Sequence, residues 1–290
     1  MSHNLPTARA QDFTLSSHRV LALQGRDAVS FAQGQFMNDV ALLGDGQWQW
    51  NGWLTPKGRV IAVFALLRRD AQALWMVLGD VDPAALAPQL QRYVFRSQVS
   101  LLARDDLVVQ GAFATPAVAR GAEAAYGNSS VELDFSGNGG PRCLRVGVMQ
   151  GAALQSDVSR WRMFDLEHGL PRLPADQAGL WTPQQLSLDR LNAYSLKKGC
   201  YPGQEIVART HYLGKAKRSI ARLQGPGLIQ GVEITSSDPQ DDAPVQAIGR
   251  VVCAEGDEGL AVLPLDAGNG PFRADGKPCV RLPLLGGLAR

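Results

Sequence analysis

Apolar residues along the chain follow two periods. Alternation or short apolar runs mark strands at 18–23, Val60–Leu67, Leu74–Leu78 and Val99–Leu102, and Trp48 and Trp50 alternate with polar neighbours in another. Helical spacing appears at Val29, Ala32 and Phe36 behind Asp27, a candidate N-cap, with Gly34 obscuring where that helix ends. It appears again at Leu86, Leu90 and Val94 behind Asp82-Pro83, a cap followed by proline at the first helical position, with Pro88 bending this helix or delaying its start. With a strong turn at Thr55-Pro56-Lys57-Gly58, residues 43–111 read β-β-β-α-β, a compact α+β unit inserted between flanking segments. A strand-rich stretch then runs from Leu107 to Val148, followed by a helix near Asp157–His168 that Gly169 and Pro171 close. Beyond Ser219 only short strands are predicted, at 219–223, 231–235, 245–253, 259–263 and 279–285, the spacing of a small antiparallel barrel or sandwich.

Composition narrows the function classes. The 290 residues carry 29 Lys plus Arg against 27 Asp plus Glu, a net charge of +2, which argues against direct nucleic-acid binding driven by electrostatics. The longest apolar run, Val60–Leu67, is far short of the roughly 18 residues of a membrane span, and the first fifteen residues show no secretory signal, so a cytoplasmic protein without a membrane partner is expected. The four cysteines, Cys143, Cys200, Cys253 and Cys279, form no C-x-x-C pair. Zinc-ribbon, thioredoxin and ferredoxin signatures are therefore missing, and no resident metal or iron–sulfur cluster is expected.

The densest chemistry lies at Lys197–Arg209. Tyr201-Pro202-Gly203-Gln204 has Pro and Gly where a type II turn needs them, which presents Cys200 on a loop just before a helix start at Glu205–Thr210. That helix start, with Lys197 and Lys198, favours a reactive thiol, whereas Cys143, Cys253 and Cys279 read as small buried hydrophobes. His18, His168 and His211 are available as bases, but no spacing selects one, and no phosphate-binding G-x-x-x-x-G-K-[ST] loop is present. Arg209, Lys215, Lys217 and Arg218 form a basic cluster that suits a carboxylate tail or RNA, although a solvated junction is the commoner meaning of such a run. Glu167, near a helix end, is a candidate to accept two parallel N–H bonds from a 2-amino-pyrimidinone edge. Trp48, Trp50 and Trp53 can wall a ligand pocket, but tryptophans at strand spacing belong more commonly to a core.

The run Lys198-Gly-Cys-Tyr-Pro-Gly-Gln-Glu205 resembles the K-[GA]-C-[YF]-x-G-Q-[ED] signature of the YgfZ family, folate-binding proteins implicated in maintaining iron–sulfur enzymes and in tRNA modification. That family is similar in turn to the T-protein aminomethyltransferases of glycine cleavage. Weaker likeness extends to Gly34-Gln35, Asn38-Asp39-Val40, Leu54–Arg59 and Glu167–Pro171. The resemblance implies an α+β cloverleaf of three domains around an opening the size of tetrahydrofolate. Its parts would be a discontinuous folate-binding domain at 1–42 and 112–212, a ferredoxin-like insertion at 43–111, and a C-terminal antiparallel barrel at 213–290.

It further implies tetrahydrofolate or a one-carbon derivative as ligand, with Glu167, Lys198, Tyr201, Gln204, Glu205 and Arg209 as binding residues. Cys200 and Lys198 would carry the chemistry, and iron–sulfur enzymes or their assembly factors would be partners. Two departures stand out. Family members often have a basic residue where this chain has Asp165, and the transferases have an aspartate in the run matching Gly58-Arg-Val-Ile-Ala62, where Ala62 can neither donate nor accept a proton. The leading expectation is thus a folate protein whose Cys200 thiol, close to the folate, supports assembly or repair of iron–sulfur enzymes. A glycine-cleavage aminomethyltransferase is the runner-up, and an RNA-binding accessory protein acting through the basic cluster is a third reading.

Overall fold

The computed structural model describes residues 12–127, 129–148, 155–214, 216–236 and 246–290. Lys215 of the basic cluster and the first eleven residues of the N-terminal segment fall outside them. The chain forms β1 (Phe13–Thr14), β2 (Arg19–Gln24), α1 (Ala28–Gln35), β3 (Trp48–Leu54), β4 (Val60–Asp70), β5 (Ala73–Leu78), α2 (Pro83–Gln91) and β6 (Ser100–Ala103). There follow β7 (Val108–Ala112), β8 (Ala125–Tyr126), β9 (Ser130–Asp134), β10 (Cys143–Gly147), α3 (Gln155–Glu167), a short 3-10 turn (Leu188–Leu191) and α4 (Gln204–Tyr212). The last six strands are β11 (Arg218–Gln224), β12 (Glu233–Ser236), β13 (Gln246–Glu255), β14 (Glu258–Pro264), β15 (Phe272–Ala274) and β16 (Lys277–Leu282).

The fold is mixed α+β. One five-stranded sheet runs β1-β7-β10-β9-β8, a second runs β3-β4-β5-β2-β6, and the last six strands close into an antiparallel barrel in the order β11-β14-β13-β12-β15-β16. The second sheet takes in β2, which precedes residue 43, while β7 joins the first sheet beside β1. Strand β2 lies between β5 and β6 because both of its faces are apolar: Val20 and Ala22 enter one core, Leu21 and Leu23 another. Helices α1 and α2 cover the latter face through Phe31, Ala32, Leu86 and Leu90. Asp82 caps α2 by accepting from Ala84 N at 2.9 Å. Asp27 does not cap α1, because its carboxylate instead accepts from Gln98 N at 2.7 Å and ties the helix to the lead-in of β6.

The barrel shows why three sheets share a core. Along β14, Ala261 and Leu263 point inward while Leu260 and Val262 point out, and the outward residues join Trp48, Trp50, Leu133, Phe135 and Trp161 in a single cluster. A bulge between Val251 and Cys253 turns both Val252 and Cys253 to that outer face. After β16 the chain runs back over the other sheets: Leu285 N donates to Glu167 O, Trp50 Nε1 donates to Leu288 O, and Arg290 donates to Asp134 O.

Candidate functional site

The Cys200 loop is fixed almost entirely by backbone contacts. The predicted type II turn forms, with Gly203 at φ 80° and ψ 0° and Gln204 N donating to Tyr201 O. Gly203 must be glycine for a second reason. A Cβ there would lie 2.6 Å from both Gly58 Cα and Thr55 O, since the loop rests directly on the β3–β4 turn. Gly58, itself at φ 69°, packs under Ile206 of α4. The two turn motifs, about 145 residues apart in sequence, thus meet glycine to glycine.

Lys198 turns away from solvent. Its ammonium donates to Gln33 O at 2.5 Å, Phe36 O at 2.6 Å and Asn38 O at 3.0 Å, closing the orphan carbonyls at the end of α1. Burial pulls its pKa down to about 8, while Asp39 and the carbonyl dipoles favour the charged form. Asn38 completes the joint by donating to Trp50 O and Asn192 O, and Ser195 N donates to Met37 O. Tyr201 is buried with its hydroxyl on Ser195 O, and Gln204 Nε2 donates to Lys198 O at 3.0 Å. Of the residues that sequence assigned to ligand binding, Lys198, Tyr201 and Gln204 are therefore occupied in holding the loop, while Glu205 and Arg209 are exposed on α4. Cys200 is exposed, whereas Cys143, Cys253 and Cys279 are buried. Burial pushes the Cys143 and Cys253 thiols up to about 12 and raises Cys279 as well.

Glu167, the last residue of α3, does not share a cavity with this loop. It lines a cleft of about 370 Å³ with Phe113, Gly140, Arg160, Met163 and Phe164, and its Oε1 accepts from Arg222 Nη2 of the barrel at 3.4 Å. His168 is consumed beside it, with Nδ1 at 2.8 Å from Phe164 O and Nε2 accepting from Gly139 N. A separate cleft of about 480 Å³ runs beside the Cys200 loop, bounded by Asp39, Gln49, Asn192, Lys197 and His211. At the centre between the two sheets lies a space of about 30 Å³, walled by Trp50, Phe135, Trp161 and Arg172 and lined by no barrel residue. Trp50 thus reaches the centre, Trp48 stacks on Phe135 in the shared core, and Trp53 lies on the helix-covered face.

Relatives decide the family. A tRNA-modifying protein YgfZ of Vibrio vulnificus is 30% identical over 223 residues, covering 71% of this chain and 67% of the relative. The chain belongs to the YgfZ family. A second YgfZ, from Klebsiella pneumoniae, is 29% identical over 232 residues and covers 73% of this chain and 71% of its own length. No family profile matches the chain. Among solved structures, the glycine cleavage system aminomethyltransferase T of Bartonella henselae superposes with a TM-score of 0.69 at 14% identity, over 93% of this chain and 84% of that one, and so shares the fold.

The YgfZ signature can now be read physically. Gly34-Gln35, Asn38-Asp39, the Leu54–Arg59 turn and the Lys198–Glu205 run, scattered along the sequence, converge on one joint that presents a single thiol. Sequence reasoning missed the partners in that joint, Gln33, Phe36 and Asn192, because they contribute backbone carbonyls and leave no side-chain signature. It also missed Arg172, which pairs with Asp165 and Asp80.

Proposed function

We propose that the protein is a folate-binding accessory of iron–sulfur enzymes, and through them of tRNA modification, in which Cys200 is the working group. The observation that carries this reading is the division of labour in the signature loop. Lys198, Tyr201, Gly203 and Gln204 hold backbone, and the Cys200 thiol is left exposed. A rigid loop holding one accessible thiol suits a transient encounter with a partner's cysteine, metal or one-carbon unit.

The cleft at Glu167 suits tetrahydrofolate best. Ligand sites typically occupy about 300–1,000 Å³; the 370 Å³ cleft at Glu167 and the 480 Å³ cleft beside the Cys200 loop both meet that test, and the 30 Å³ between the sheets does not. Glu167 retains acceptor capacity beyond its bond to Arg222, which suits the paired N–H groups of a pterin edge, and Phe113, Met163 and Phe164 offer apolar walls. Bound there, the folate would supply a one-carbon carrier, while Glu167 orients its ring and Arg160 attracts its carboxylate tail.

The transferase reading is weaker because Ala62, fully buried opposite Trp53, has no group to move a proton. The RNA reading loses part of its cluster, since Arg218 donates to Ile248 O. The test is paired. Cys200→Ser should bind tetrahydrofolate in calorimetry as wild type does, yet fail to restore iron–sulfur enzyme activity and tRNA modification in cells lacking the protein. Glu167→Gln should weaken the folate heat. Full complementation by Cys200→Ser, or no folate heat at millimolar ligand in folded protein, overturns the proposal.

A further inference from the structure

The 480 Å³ cleft beside the Cys200 loop does not end at the loop. It shares Asp189, Tyr194 and His211 with a second cleft of about 380 Å³, which runs on between Gln184, the end of α4 and the start of β11. Together they form one groove, bordered by Lys197, three residues before Cys200. The groove has no lining residue in common with the Glu167 cleft or with the space between the sheets.

Two glutamines in its walls carry polar atoms that the fold leaves unpaired. Gln184, in the second cleft, spends its Nε2 on Val207 O at 2.8 Å, which fixes the amide, and its buried Oε1 has no partner among the described residues. Gln49, in the first cleft and only 9% exposed, has a buried Nε2 with no partner among them. Buried polar atoms are nearly always paired in a folded chain, because an unpaired one costs stability, so two of them beside one groove point to a partner from outside. One is an acceptor and the other a donor, the complement of the N–H and C=O that every peptide unit offers. Apolar seats lie with them: Leu42, 82% exposed, in the first cleft and Leu265, 59% exposed, in the second. Asp39 and Asp189 set carboxylates in the same groove as Lys197 and Arg218, a mixed lining that disfavours a phosphate chain.

We infer that this groove binds an extended, uncharged segment of a partner protein and lays it beside the Cys200 thiol. Gln49 donates to one carbonyl of the segment, Gln184 accepts from one of its N–H groups, and Leu42 and Leu265 seat its apolar side chains. The inference deepens the proposed role of Cys200 and rests on it for the purpose of the segment, whereas the groove and its unpaired amides are independent of folate.

The experiment uses the full chain and two capped tetrapeptides, acetyl-Ala-Ala-Ala-Cys-amide and acetyl-Cys-Ala-Ala-Ala-amide, each with its sulfur activated as a 2-thiopyridyl disulfide. The Cys200 thiolate attacks the peptide sulfur, the new S–S bond forms as the old one breaks, and the released pyridine-2-thione is read by absorbance. Each rate is divided by that of the same disulfide of mercaptoethanol. In wild type, one of the two peptides should give a ratio about tenfold above its ratio with free N-acetylcysteine, as expected for a weak noncovalent seat. Gln49→Leu with Gln184→Leu should bring it down to the N-acetylcysteine value, and so should methylating the peptide's backbone nitrogens, which removes its donors. A wild-type ratio no higher than that of N-acetylcysteine overturns the inference, as does a ratio that survives loss of both glutamines in cooperatively melting protein. Should the double variant not fold, the N-methylated peptide decides on wild type alone, and an undiminished ratio overturns the inference. Faster labelling by a thiopyridyl-tagged oligouridylate than by either peptide gives the groove to nucleic acid and overturns it too. Because the rates are read without folate and outside cells, Cys200→Ser that complements fully while the peptide ratio stays high removes the Cys200 reading and leaves the groove.

Discussion

The Cys200 loop and the Asp165–Arg172 centre are built on opposite plans. At the loop, a charged side chain is satisfied by backbone: one lysine closes three carbonyls, two glycines allow two turns to touch, and one thiol remains over. At the centre, side chains satisfy one another, two acids against two arginines, leaving little more room than one water requires. The contrast shows that a polar residue's type does not reveal its role in a folded chain. What remains unspent and exposed after packing is what can meet a partner: a thiol at one region, whereas at the other the Arg142 Nη2 left without a hydrogen bond is buried out of reach.

Breaking the central pairing should cost most. Asp165→Ala strands Arg142 and leaves Arg172 with Asp80 alone, and losing one partner of a buried ion pair costs about 3–5 kcal/mol, read as a lower urea midpoint at unchanged m. Gly203→Ala follows at about 2–4 kcal/mol, from the left-handed backbone and the clash with Gly58 and Thr55. Because its cause is steric, that loss should be insensitive to salt. Lys198→Met leaves buried carbonyls without a donor and should cost about 1–3 kcal/mol while leaving folate affinity intact. A Lys198→Met protein of wild-type stability that binds folate poorly would move Lys198 from the scaffold to the ligand site.

Acid gives a smaller effect, and at a third pairing outside both regions. Burial raises the pKa of Glu132 on β9, but N–H donors from Val118 and Ala119 and the Arg145 guanidinium outweigh it and bring the pKa to about 2 from 4.5. A folded value below the unfolded one means that this stabilisation is complete above pH 4.5 and is lost as pH falls toward 2. Urea midpoints between those limits should fall less steeply for Glu132→Gln than for wild type. Cys200→Ser should change stability least, within about 0.5 kcal/mol. A thiol reagent should label Cys200 in the folded wild type and reach Cys143, Cys253 and Cys279 only on unfolding, whereas rapid labelling of a second thiol would break the contrast between spent and unspent groups.

Features that depend on near neighbours were legible in the chain itself. Asp82 caps α2 two residues on, the Pro202-Gly203 turn forms as its residues demand, and Gly169 ends α3 with a positive φ of 68°. The alternation of β11, β13 and β14 foretold a β-rich end, and its closure into a barrel follows from the pairing of β11 with β16. Strand β15, three residues long, is too short to carry a period.

The sequence by itself determined the local elements, the thiol on its turn, and a carboxylate at Glu167, because helix caps, turn glycines and strand alternation act over a few residues. Only the tertiary structure decided where the charges went. Asp27 binds Gln98 N rather than its own helix, Lys198 closes carbonyls some 160 positions earlier, Glu167 pairs with Arg222 of the barrel, and Arg172 fills the centre on Asp165. A backbone carbonyl is the same at every residue, and a charge pairs with whatever burial brings within reach. Neither leaves a pattern that can be read before the chain has folded.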